Sequence, residues 1–296
     1  MTAYRVVHET LYDYGDDVVS SQNEAHLLPR ELPTQVPKHI ELRVDPTPDS
    51  VRWHRDYFGN DSVFFALQTP HRRLAIRTES EVRVEPAPPF DPARSSPWEE
   101  VVHRVRSARS AEGLEALEYV FDSPFVPTLE ALAAYARPSF PPGRPLAEAA
   151  LDFSHRIHTD FTYDPGATTL DTPVEEALRE RHGVCQDYSH VMIGALRSLG
   201  LPARYVSGYL ASARAPSEND LIGAEASHAW VATWCPNLGW IAVDPTNDMP
   251  AGDRHIVLAW GRDYDDVSPV KGVTLGGGSH GVEVIVKVRP LDAPAA

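Results

Sequence analysis

One junction constrains this chain more than any other stretch. His182-Gly183-Val184-Cys185-Gln186-Asp187-Tyr188-Ser189-His190 passes from a polar, glycine-punctuated loop into an amphipathic helix. Tyr188, Val191, Met192, Ala195, Leu196 and Leu199 recur at helical spacing, and Gly200 and Pro202 supply the stop. Cys185 therefore falls in or beside the first helical turn, where unpaired backbone N–H groups concentrate positive potential. That potential favours the thiolate, which is the nucleophilic form. Taken alone, Cys185 also fits a small residue buried in a core helix. The segments downstream weigh against that plainer reading.

Ser227 to Trp234 is rich in β-branched and aromatic residues and reads as a strand. Cys235-Pro236-Asn237-Leu238-Gly239 has turn chemistry, and Trp240 to Thr246 reads as a second strand ended by Pro245. In such a hairpin His228 and Asp244 share a face, opposite or one diagonal step apart. Their companions on that face include Trp230, Trp234, Trp240 and Ala242. An acid and a histidine among such residues are costly to bury unless they satisfy each other. Each of the three is unremarkable alone: a structural histidine, a turn aspartate, a core cysteine. Together, in the order Cys, His, Asp on helix, strand, strand, they match the needs of acyl chemistry. A thiol attacks a carbonyl, an imidazole moves the proton, and a carboxylate fixes the imidazole tautomer.

Four segments in order resemble the transglutaminase-like superfamily of papain-type folds, in particular its bacterial members. They are Gly183-Val184-Cys185-Gln186-Asp187-Tyr188, Gly200 to Tyr209, Ser227-His228-Ala229-Trp230, and Gly239 to Thr246. The likeness runs over roughly residues 145–250. A looser likeness, to the β-rich N-terminal domain that accompanies this core in bacteria, rests on His8-Glu9-Thr10, Leu28-Pro29-Arg30 and Asp56-Tyr57-Phe58-Gly59-Asn60. The resemblance implies Cys185 as nucleophile, His228 as general base and acid, and Asp244 as the orienting carboxylate. It implies an α+β fold: a papain-like transglutaminase core, its Cys-bearing helix packed on an antiparallel sheet, with a β-rich N-terminal domain. The backbone N–H of Cys185 is the natural first oxyanion donor. Tyr163 is the candidate second donor, because superfamily members can use an aromatic side chain there; a packed aromatic is the plainer reading.

The expected division is 1–85 for the β-rich domain, 86–97 for a proline-rich linker, and 98–296 for a helical segment, the catalytic core and C-terminal strands. Tyr4, Val6, Thr10, Tyr12 and Tyr14 alternate, with His8 as an interruption. Helical patterns span Glu99 to Arg106, Thr128 to Arg137 and Leu146 to His158, and a short helix starts with Thr172 as N-cap and Pro173 at its first position. A polar insertion, 211–226, precedes His228 and reads equally as a loop over a cleft or as a plain surface excursion. Gly276 to Gly281 matches G-x-G-x-x-G, but a strand pattern follows it where a dinucleotide site needs a helix.

A net charge of −15 argues against nucleic acid as partner. Two cysteines make no disulfide framework and too few for C-x-x-C zinc pairs, so a reducing, cytoplasmic setting is expected, without membrane association or a signal core at Met1 to Glu9. Cys235, in the hairpin turn, reads as a structural residue or a spare thiol. Asp187 reads as a cap at the helix start beside Gln186, with a substrate role as the lesser alternative; His182 reads as an exposed loop histidine in reach of the site, and His190 as structural or as support for the site. His155 and His158 lack an evident third metal ligand, and Asp263, Asp265 and Asp266 miss the calcium-loop spacing, so no metal or other cofactor is expected. The expected partner is a peptide or protein substrate, and the expected activity that of a cysteine peptidase or amidase. Transglutamination, acyl transfer from a thioester as in arylamine acetyltransferases, and a non-catalytic scaffold are the alternatives.

Overall fold

The alternating inward residues of the first segment build one very long strand, β1 (Thr2–Ala25), and the N-terminal sheet is organised around it. The computed structural model describes residues 2–86, 89–211, 221–223 and 226–291. Strands β2 (Gln35–Asp45), β3 (Ser50–Arg55), β4 (Asp61–Leu67) and β5 (His71–Val84) give the sheet order β2-β5-β1-β4-β3. His8 does not interrupt the pattern. It stays on the buried face with Tyr4, Val6 and Thr10, because Thr10 Oγ1 and the Tyr209 hydroxyl each meet a ring nitrogen at 2.9 Å. Burial pushes its pKa down to about 4, so the ring is neutral.

Helices α1 (Trp98–Arg106), α2 (Ala111–Glu118), α3 (Glu130–Ala136) and α4 (Leu146–Asp160) follow, then β6 (Thr162–Tyr163), α5 (Val174–Glu180), β7 (His182–Gly183) and α6 (Cys185–Ser198). The short α2 carries Gly113 and has no strong apolar period, so its sequence pattern did not announce it. At α5, Pro173 is the extended N-cap rather than the first helical residue, and the Thr172 hydroxyl instead accepts from the Thr169 amide.

The second sheet contains β8 (Ala203–Leu210), β9 (Ser227–Cys235), β10 (Gly239–Asp244), β11 (Met249–Pro250) and β12 (His255–Gly261), all antiparallel in the order β11-β10-β9-β8-β12. One face of this sheet packs on α6, which is buried on nearly all sides. Arg197 of α6 is buried yet satisfied, donating to the carbonyls of Tyr119, Ala203 and Arg262 and to Ser123 Oγ. Helix α7 (Tyr264–Val267) leads to β13 (Val270–Gly276) and β14 (His280–Pro290). These last strands leave the core and return to the N-terminal sheet. β14 pairs along Tyr4–Tyr14 and β13 along Val18–Ala25, so β1 has partners on both edges throughout most of its length. Gly276, Gly277 and Gly278, all at positive φ, make the turn between them, which explains why no helix follows that glycine motif.

The N-terminal motif residues clamp the two sheets together. Asn60 Nδ2 donates to the Trp260 carbonyl at 2.9 Å, and the Trp260 amide donates to Asn60 Oδ1 at 2.9 Å. Arg30 donates to Asn60 Oδ1 and to the Phe58 carbonyl, and lies 3.5 Å over the Trp260 ring. Asn60→Ala would orphan both buried backbone groups of Trp260. It is expected to lower the unfolding free energy by about 2–4 kcal/mol in chemical denaturation followed by circular dichroism. Among the described residues no helix is long and apolar enough to cross a membrane.

Candidate active site

Cys185 is the first residue of α6, so its backbone N–H has no acceptor within the helix. The corner that presents it is held by Asp187. The Val184 amide donates to Asp187 Oδ2 at 2.8 Å, and Thr168 Oγ1 donates to the same oxygen at 2.7 Å. Asp187 is thus occupied in fixing the turn, and Gln186 reaches the Leu170 carbonyl. The thiol itself is half-buried. Tyr163, Tyr205 and Tyr264 lie near enough to it to feel its charge. Tyr163 pairs in parallel with Gly183 through β6 and β7, which brings its ring beside the corner. Burial, foremost, and the charges of Cys185 and Asp187 push its pKa up to about 12, so it holds its proton as a hydrogen-bond donor at neutral pH.

The β9–β10 hairpin pairs Trp234 with Trp240 and Val231 with Val243. Extending that register sets Asp244 across from Trp230 and one diagonal step from His228. His228 Nε2 donates to Asp244 Oδ2 at 2.8 Å, with both side chains fully buried. Asp244 is saturated. Its Oδ2 also accepts from Asn247 Nδ2 at 2.8 Å and His255 Nε2 at 3.2 Å, while Oδ1 accepts from the amides of Thr246 and Asn247. Burial alone would raise the Asp244 pKa; the two histidines outweigh it and hold the carboxyl well below its usual range.

His255 is a neutral donor in this cluster. The Gly252 amide donates to its Nδ1, so its proton sits on Nε2 and points to Asp244. Burial lowers its pKa accordingly. For His228 burial also opposes the charged form, but Asp244, and after it Cys185, raise the pKa to about 10. With Nε2 committed to Asp244, Nδ1 is buried with no hydrogen-bond acceptor among the described residues other than the neighbouring Cys185 thiol. Trp230 covers the pair, stacked on His228 at 6.1 Å between ring centroids and edge-on to His255 at 5.1 Å.

Residues 134–245 match the profile of the transglutaminase-like superfamily, and residues 4–83 match the bacterial transglutaminase-like N-terminal region. Uncharacterized proteins of Mycobacterium tuberculosis and Mycobacterium bovis are 41% identical over 303 residues, spanning 99% of this chain and 94% of theirs. The chain belongs to the transglutaminase-like superfamily. A protein-glutamine gamma-glutamyltransferase of Pseudomonas aeruginosa is 36% identical over 122 residues, 40% of this chain and 18% of that protein. A crystal structure from Cytophaga hutchinsonii, described as a "Putative Cysteine Protease", superposes with a TM-score of 0.76 over 100% of this chain and 92% of that one. At 18% identity that likeness establishes the shared fold.

Other candidate residues of this transglutaminase-like chain have structural partners. His182 contacts the Glu180 carbonyl, and His190 accepts from the Tyr264 amide while stacked on Phe125. His155 pairs with Asp248 and His158 with the Thr246 carbonyl. Asp263 caps α7 and accepts from the Phe125 amide, and Asp266 pairs with Arg262. Cys235 is buried in the hairpin turn, its Sγ donating to Asn237 Oδ1.

Three neighbours of the site have weak signals or none in the sequence. Asn247, three residues past Asp244, has the local spacing of a turn residue. His255 is brought in by strand pairing and has no local signal. Gly223, at φ +88, rests against His228: a Cβ there would lie 2.7 Å from Nδ1. Of the insertion 211–226, residues 212–220, 224 and 225 lie outside the described residues. Ile222 is held by Asn247, whose Oδ1 accepts from the Ile222 amide and whose Nδ2 donates to its carbonyl. Gly223→Ala is expected to displace the imidazole and to slow thiol alkylation at Cys185 by about tenfold or more, read by mass spectrometry of the modified peptide.

Proposed function

We propose that this protein is a thiol-dependent acyl-transfer enzyme acting on a peptide or glutamine-type amide, foremost as a cysteine peptidase or amidase. The observation that carries this reading is the buried His228–Asp244 pair, whose second ring nitrogen adjoins a thiol at the start of a helix. Cys185 Sγ attacks the amide carbonyl and forms the C–S bond. The oxyanion accepts hydrogen bonds from the Cys185 backbone N–H and the protonated Tyr163. His228 Nδ1–H then protonates the departing amine as the C–N bond breaks, leaving a thioester. Water, deprotonated by His228, attacks that thioester, releases a carboxylic acid and returns the thiolate. An amine in place of water would give a new amide, which is transglutamination. The likeness over 122 residues to a protein-glutamine gamma-glutamyltransferase favours that second reading. Hydrolysis is preferred here because water is always present, whereas an acceptor amine must be specifically bound.

Iodoacetamide labelling tests the activated thiol. Cys185 is expected to react rapidly at mildly acidic pH, and about 10–100-fold more slowly after His228→Ala. Cys235, whose pKa burial raises, is expected to stay unmodified under the same conditions. Equal rates at the two cysteines would overturn the reading. Product masses from glutamine and peptide libraries, with and without an added amine, separate hydrolysis from transfer.

A further inference from the structure

The face of the second sheet that carries His228 and Asp244 also borders a cavity of about 420 Å³, which opens between this sheet and the segment joining it to the N-terminal strands. Neither Cys185 nor His228 lines it; Trp230 and His255 form its wall on the side of the proposed active site. Its volume is within the range of small-molecule sites.

Arg204 is the unusual group in this wall. It projects from β8 opposite Ala232 and is only 7% exposed. Its guanidinium lies between two indole rings, 4.0 Å from the centroid of Trp240 and 3.9 Å from that of Trp260. Its Nε is buried and makes no hydrogen bond among the described residues. Its polar neighbours are the Tyr119 hydroxyl, which is within hydrogen-bonding reach, and Glu115, 4.0 Å from its Nη1 on a side chain that is 53% exposed. The contrast with Arg197 is direct: that buried arginine spends its N–H groups on three carbonyls and a hydroxyl. A buried cation whose ion pair among the described residues is a long contact to a half-exposed carboxylate is expensive. Both rings pack against the Arg204 guanidinium, which also lines the cavity, so what it offers a ligand there is its N–H groups. An edge-on fork of N–H donors matches a coplanar carboxylate.

Most of the remaining lining is apolar, and Gln35, the amide in it, is spent on the Arg30 carbonyl and on the amide and carbonyl of Val257. Trp230, Phe90, Val206, Ile241 and Val257 contribute to its lining. His255 is neutral and already bonded at both nitrogens, and Glu85 is a solvent-exposed carboxylate at the rim. We propose that this cavity is a binding site for an organic monocarboxylate with an aromatic or aliphatic body, its carboxylate on the edge of Arg204 and its body against the tryptophans. The site is separate from Cys185 and does not rest on the acyl-transfer reading.

Titration of the full chain with 3-phenylpropanoate and with octanoate tests this. Three of the six tryptophans line the cavity, so occupancy is read as a saturable change in indole fluorescence. The expected result is saturation by at least one of the two acids below about 10 mM. Binding is expected to weaken about tenfold or more for the corresponding amides, or after Arg204→Met. Ala251→Phe adds bulk to the cavity wall with Arg204 retained and is expected to abolish binding, which keeps the test decisive should Arg204→Met fail to fold. Prior alkylation of Cys185 is expected to leave binding intact. Absence of saturation by both acids would overturn the proposal. So would equal binding of acid and amide, survival of binding in Ala251→Phe, or its loss on alkylation of Cys185.

Discussion

Cys185→Ala is expected to leave the chain folded and to abolish covalent adduct formation, with turnover falling by a factor of about 10⁴ or more. The fold should tolerate the change because the residue is half-buried at the first position of α6, where alanine is a good helix former and only one sulfur atom is lost. The corner itself is held by Asp187, Val184 and Thr168, none of which the substitution touches. Activity has no such redundancy. Under the proposed mechanism the thioester forms at this sulfur, and Cys235 is buried in a turn and bonded to Asn237. The check is paired: circular dichroism melting to establish the fold, and intact mass after incubation with an acyl donor. Retained adduct formation in a folded Cys185→Ala protein would overturn the assignment of the nucleophile.

Asp244→Asn is expected to strike both stability and activity. In the native site one carboxylate oxygen accepts from His228, His255 and Asn247 side chains and the other from two backbone amides. An amide must place its NH₂ against one of those donor sets. The loss is expected to be about 3–5 kcal/mol, as for removal of one member of a buried ion pair. Turnover should drop by about 10⁴, since the imidazole loses the partner that fixes its tautomer.

The stability difference should also depend on pH. The folded pKa of His228 is raised from 6.5 to about 10, so its contribution is complete below pH 6.5 and drains away as pH rises toward 10. The depressed pKa of Asp244 acts oppositely: its contribution is present above pH 3.8 and is lost as the solution becomes more acidic. The gap in unfolding free energy between the native chain and Asp244→Asn should therefore be widest near pH 5–6 and narrow toward pH 10. Denaturant titrations at pH 6, 8 and 10 measure it, and a gap independent of pH would refute the imidazolium–carboxylate account.

The residues nearest in sequence were the most legible. The Cys185 helix shows an apolar period and a Gly–Pro stop, and α6 begins at Cys185. The β9–β10 hairpin follows from turn chemistry, and a two-residue side-chain period put His228 and Asp244 on one face before their contact was seen. The α+β class and the superfamily were legible for the same reason, since local patterns recur in a fixed order. The pairing of the end of the chain was not legible locally. Sequence grouped 98–296 as one unit, whereas β13 and β14 complete the sheet around β1, more than two hundred residues away.

The sequence by itself determined which side chains were available for acyl chemistry and on which local elements they stood, because helical and strand periods are set by neighbours a few residues apart. Only the tertiary structure decided that Asp244 is shared by two histidines, that Gly223 lies against His228, that Asn60 and Arg30 clamp one sheet to the other, and that Arg204 is packed against two indoles with a half-exposed carboxylate 4.0 Å away. These contacts join residues that are distant in the chain or set by packing. Burial then fixes their protonation and their need for partners, and burial is a property of the packed whole.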